Sequence, residues 1–129
     1  MKVIDGKNAI LGRLASFAAK TALRGEEIII VNCNKIIISG SEQNIKQKWN
    51  EKKEKIGSTQ KGPKHSVLCE KLVKRSIRNM LPNHRSGRGK EALKKIKCYK
   101  DLPEKLKDTK RIEMPSIKNK SISVGEISK

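Results

Sequence analysis

The chain has 129 residues, with 31 Lys and Arg against 13 Asp and Glu, a formal net charge of +18 and a pI near 10.1. Such a surplus repels itself and selects a polyanionic partner: nucleic acid, an acidic membrane surface or an acidic protein. Membrane insertion is set aside, because the longest apolar runs, Ile28 to Val31 and Ile36 to Ile38, fall far short of the roughly 20 residues of a spanning helix.

Lys2 to Asp5 reads as a short strand, and the absence of a secretory or transit signal before it makes the cytosol the expected compartment. Asn8 is read as the cap of a helix whose Leu11, Leu14, Ala15, Ala18 and Ala22 share an apolar face, with Arg13 and Lys20 off that stripe and Gly25 ending it. Glu27 to Val31 and Ile36 to Ile38 are expected as strands joined by a turn at Asn32-Cys33-Asn34. Continuous apolar strands beside helices predict a sheet covered on both faces. Ser41 to Lys55 predicts a thinly anchored polar helix with Ile45, Trp49 and Lys53 along one edge, where Trp49 packs against the domain and does not stack on bases. Ile56 to Ser66 has the composition of a loop, and its Lys61, Lys64 and His65 are expected at phosphate.

Ser66 is read as the cap of the next helix, which buries Leu68, Leu72, Val73, Ile77 and Met80 and gathers Lys71, Lys74, Arg75 and Arg78 on the remaining circumference. A solvated face usually mixes signs, and four cations against the single Glu70 point this one toward RNA. Pro82 cannot continue the helix. The loop after it holds His84, Arg85 and Arg88 beside glycines that would let backbone approach a ligand closely. A short helix around Lys90 to Ile96 and a strand at Lys97 to Tyr99 follow, with Lys94 and Lys95 adding to the basic run. Lys100 to Lys120 shows little periodicity, so residues 1–100 are expected as an RNA-binding core domain and 101–129 as an extended C-terminal arm.

The residues for catalysis are missing as motifs. Five residues separate Gly6 from Gly12 where a phosphate-binding loop needs four, and Arg13-Leu14 replaces its Lys-Ser or Lys-Thr. No Gly-x-Ser-x-Gly elbow occurs and acids are scarce. Cys33, Cys69 and Cys98 are odd in number and widely spaced, as suits reduced thiols in or near a core, and no Cys-x-x-Cys or nearby His gives metal-ligand spacing. Neither cofactor, metal nor small-molecule substrate is expected, and the protein is not read as an enzyme. One Phe, one Trp and one Tyr leave no aromatic platform for single strands. Recognition through phosphates, 2′-hydroxyls and shape is expected instead.

Ile77-Arg78-Asn79-Met80-Leu81-Pro82, the basic loop, Arg88-Gly89-Lys90-Glu91-Ala92-Leu93-Lys94-Lys95 and Lys97-Cys98-Tyr99 together resemble the signature of the large-subunit ribosomal protein L13 family. Val3-Ile4-Asp5-Gly6, Leu11 to Ser16, Val31-Asn32-Cys33 and Ile38-Ser39-Gly40 are similar to it in the same order, while Lys61-Gly62-Pro63 and Ser123 to Lys129 resemble its archaeal and eukaryotic branch. The resemblance implies a compact three-layer α/β/α domain with a central, largely parallel sheet of about four strands. It also implies a structural constituent of the large ribosomal subunit, bound to rRNA and neighbouring proteins. The expected RNA contacts are Arg13, Lys48, Lys53, Lys61, Lys64, His65, Lys71, Arg75, Arg78, His84, Arg85, Arg88, Lys90, Lys94, Lys95 and Lys97. The alternative is a free-standing RNA-binding regulator or RNA chaperone with the same basic domain.

Overall fold

A computed structural model describes residues 1–55, 65–117 and 119–128. Four strands form one all-parallel sheet in the order β4-β2-β1-β5: β1 Lys2–Asp5, β2 Ile28–Val31, β4 Ile96–Cys98 and β5 Arg111–Glu113. Ile4 lies opposite Ile30 and Ile112, and Ile30 opposite Cys98. The α/β class and the parallel four-stranded centre are those expected. All four β2 residues are buried, the state a central parallel strand requires and its Ile-Ile-Ile-Val sequence allows.

Alternation along the strands makes two cores. Ile4, Ile28, Ile30 and Ile96 face a large cluster built with α1 (Leu11–Leu23), α3 (Cys69–Asn79) and α4 (Gly87–Lys94). Val3, Ile29 and Val31 face the other way, against Leu102 and Leu106 of a segment that includes a 3-10 turn, Glu104–Leu106. One layer is therefore helical and thick, and the other is a thin cover supplied by the C-terminal segment.

That segment is more than an extended arm. It adds β5 to the sheet edge beside β1, then β6 (Ser121–Ser123), which pairs antiparallel with β3 (Ile37–Ser39), and ends in α5 (Val124–Ile127). Ile122, Val124 and Ile127 are buried in the main core. Three-residue strands are too short to show a period, so only their pairing partners identify them.

Three helix starts differ from expectation. Helix α4 begins at Gly87, ahead of Lys90, so that Arg88 and Gly89 are helical and not in the loop. Asn8 takes a left-handed conformation (φ 56°), and α1 begins three residues later, after Ile10. Ser66 accepts the N–H of Leu68 at 3.3 Å and thereby makes a local turn, so α3 begins only at Cys69, flanked by Leu68. The polar helix α2 (Glu42–Glu54) contains no buried residue and rests on the core through half-buried Ile45 and Trp49.

Candidate nucleic-acid interface

Helix α3 positions the densest cations. Cys69, Leu72, Val73 and Ile77 are buried, which fixes the rotation of the helix and turns Lys71, Lys74, Arg75 and Arg78 outward at i, i+3, i+4 and i+7. These four line a cleft of about 280 Å³ together with Ser66, Leu72 and Leu93, so its walls are basic and its floor largely apolar. Lys71 and Lys74 also border a second groove of about 260 Å³ with Glu70, Lys97, Cys98 and Tyr99. The two grooves share these lysines, and a basic strip runs from Arg78 across α3 to Lys97 at the sheet edge.

Cations outnumber acids along the strip, where Glu70 borders the second groove. The ion pairs Lys2–Glu26, Lys46–Glu42 and Arg111–Asp5 lie elsewhere, and among the described residues no carboxylate pairs with Lys71, Lys74 or Arg78. The Lys74 ammonium donates to the Ile96 carbonyl at 2.9 Å, pinning α3 to β4. Arg78 Nε is buried and has no hydrogen-bond partner, and neither has His65 Nδ1. Desolvation, then the charges of Arg75 and Lys52, pull His65 below the ordinary imidazole range.

The loop after α3 packs its Pro82 turn against Gly89 in the first turn of α4. A Cβ there would sit 1.6 Å from the Pro82 carbonyl oxygen, so the close approach that this glycine permits is to the protein's own turn and not, as expected, to a ligand. Asn83 Nδ2 donates to Ser86 Oγ at 2.8 Å and further ties the loop. His84 is half-buried, while Arg85, Arg88, Lys90 and Lys94 are exposed. Arg88 and Lys95 reach back to the end of α1, donating to the carbonyls of Leu23 (3.4 Å) and Gly25 (3.2 Å). Free carbonyls at a helix C-terminus carry partial negative charge, so these two cations cap α1 and dock α4 on it.

The other expected positions are dispersed. Arg13 on α1 and Lys48 on α2 are exposed, whereas Lys53 is half-buried and donates to the Ile127 carbonyl at 3.0 Å. Lys61 and Lys64 lie outside the described residues. Lys74, one of the four cations that the sequence places on this face, lines both grooves. Ser66 and Leu93 also line the cleft and were not singled out as contacts. Leu93 carried no signal, because its position follows from how α4 packs.

The cysteines assemble as thiols. Cys33 and Cys69 are buried and Cys98 half-buried, all unbridged. The Cys33 thiol donates to the Ile30 carbonyl at 3.9 Å; the neighbouring Cys98 and burial push its pKa up, while Cys33 and the charge of Lys74 pull that of Cys98 down. Among the described residues no three His, Cys, Asp or Glu gather in a way that could hold a metal ion, and no helix is long and apolar enough to cross a membrane.

Fold and strip together define a class: a small parallel α/β domain with a continuous, strongly basic face suited to a polyanion. The comparisons make the class specific. The family model described as Ribosomal protein L13 matches residues 1–105. The chain is 42% identical to the large ribosomal subunit protein uL13 of Methanosarcina barkeri over 135 aligned positions, covering 99% of this chain and 95% of that one. It is 39% identical to uL13 of Methanocaldococcus jannaschii, covering 100% and 96%, and 42% identical to uL13 of Thermoplasma volcanium, covering 85% and 79%. The chain belongs to the ribosomal protein L13 family.

Proposed function

We propose that this protein is a structural constituent of the large ribosomal subunit in the cytoplasm, that it binds and stabilises rRNA beside neighbouring ribosomal proteins, and that it performs no chemistry. The relatives are named for that subunit, and the observation carrying the reading is the α3 strip, a row of cations held rigidly by a buried opposite face. Lys71, Arg75, Arg78 and Lys97 supply its phosphate contacts. Exposed Arg13, Lys48, Arg85, Lys90 and Lys94, half-buried His65 and His84, and Lys61 and Lys64 extend the contact surface. Lys53, Arg88 and Lys95 give one donor each to carbonyls and keep others for RNA, since an ammonium has three and a guanidinium five.

Sucrose-gradient fractionation of a native lysate at moderate and then high salt tests the proposal. The expected outcome is co-sedimentation with the large subunit that survives a moderate salt wash. Recovery mainly in light fractions would overturn it in favour of a free-standing RNA-binding regulator or chaperone.

A further inference from the structure

The strip is not uniform: at one point the basic surface opens over an apolar floor. Leu72 is almost wholly buried and Leu93 partly so, yet both line the cleft that Lys71, Lys74, Arg75 and Arg78 surround. A phosphate group needs no apolar floor, and desolvating cations over leucine is unfavourable without a partner that matches both surfaces. Arg78 presents one unmet demand directly, a buried Nε–H with no acceptor. Ser66 Oγ accepts the Leu68 N–H, which leaves its own O–H to donate.

The geometry points to a subsite for a single unstacked RNA nucleotide, its base lying on Leu72 and Leu93 and its phosphate held by Arg78 and the neighbouring cations. This rests on the rRNA-binding reading above and specifies a contact within it. One nucleotide pairs an apolar, flat face with an anion a few ångströms away, the same two features that the cleft juxtaposes. Bases splayed from loops and bulges are held elsewhere on aromatic rings or on guanidinium planes; with aromatic side chains so scarce in this chain, the apolar leucine surface of the cleft takes that place. An acidic peptide helix would rest across the cleft and could not enter it. Two turns of helix are about 10 Å across and 11 Å long, several times the cleft's 280 Å³.

The test uses the full chain with labelled leucine methyls and arginine side chains, titrated by NMR with uridine 5′-monophosphate, uridine and inorganic phosphate. The nucleotide is expected to shift the Leu72 and Leu93 methyls together with Arg78 Nε–H, and phosphate to shift Arg78 alone, at least tenfold more weakly. Leu93→Ala should weaken the nucleotide several-fold and leave phosphate unchanged. Arg78→Gln should weaken both, with Arg78→Lys restoring part of the phosphate effect. Identical responses to nucleotide and phosphate, confined to Arg78, would reduce the site to a phosphate contact and overturn the proposal. So would silence toward all three probes, or stronger methyl shifts with an acidic peptide. The ribosomal reading fails independently: it falls if the wild-type protein leaves the large subunit while the methyl shifts persist, and it survives if the shifts are absent but co-sedimentation holds.

Discussion

Gly89 and Gly87 lie two residues apart at the start of α4, yet substitution tests different physics at each. At Gly89 an added methyl would meet the Pro82 carbonyl oxygen at 1.6 Å, so Gly89→Ala must push α4 off its turn; overpacking of this kind costs about 1–3 kcal/mol or more. At Gly87 there is open space, but φ is +62°, a left-handed conformation costing a non-glycine residue about 1–2 kcal/mol. Denaturant melts should place Gly89→Ala below Gly87→Ala in stability, and the reverse order would contradict the close contact. Asp5 offers a second test. Burial opposes its ionisation but is outweighed by hydrogen bonds from Asn32 Nδ2 and the Lys7 N–H and by the charges of Arg111 and Lys7, so its carboxyl lies below the usual range. A depressed native pKa contributes stability that is present above the unfolded value, about 3.9, and is lost as pH falls through the native one. Asp5→Asn should therefore lower the melting temperature at pH 6 and converge on wild type toward pH 2. Parallel curves across that range would exclude Asp5 as a source of acid sensitivity. Glycines and acids at turns were visible in the sequence. What each one touches was not, because those neighbours are 7 residues away for Gly89 and 27 for Asp5.

Helix α3 sets its buried packing face and its proposed RNA-contacting cations on two sides of one cylinder. Leu72→Ala or Ile77→Ala should destabilise by roughly 2–5 kcal/mol through a cavity in the main core, with RNA affinity lost only as the fold is lost. Lys71→Ala and Arg78→Ala should leave the melt nearly unchanged and reduce the slope of log affinity against log salt by about 0.7 to 0.9 per phosphate contact removed. A binding defect in Ile77→Ala with an intact melt would mean that the helix is rotated from the orientation described. This element was the most legible in the chain: eleven residues span three turns, enough for a 3.6-residue period to declare both faces, except at the ends, where Leu68 and Met80, expected buried, flank the helix and are exposed. Helix α4 was less so. Its cations were all recognised, but whether Arg88 and Lys95 point to RNA or to the end of α1 depends on where α1 ends in space.

Across the whole molecule, the second face of the sheet depends on residues beyond 100. Val3, Ile29 and Val31 are covered by Leu102 and Leu106, β1 gains a neighbour in β5, and Ile122, Val124 and Ile127 close the main core. A chain cut after Lys100 should therefore lose cooperative thermal unfolding, with hydrogen-exchange protection collapsing in β1 and β2. A fragment that melted as sharply as the full chain would restore the picture of a self-sufficient core with a peripheral arm.

The surplus of cations, the α/β composition, the two-sided character of α3 and the strand-forming apolar runs were determined by the sequence itself. They depend on charge, on residue type and on periods of 2 or 3.6, all local quantities. Only the tertiary structure decided that three-residue strands at Arg111–Glu113 and Ser121–Ser123 exist, that Gly89 serves Pro82, and that Leu93 joins the α3 cations around one cleft. Each of these is a meeting between segments distant along the chain, and the register of a crossover connection is set by the packing of everything between its ends.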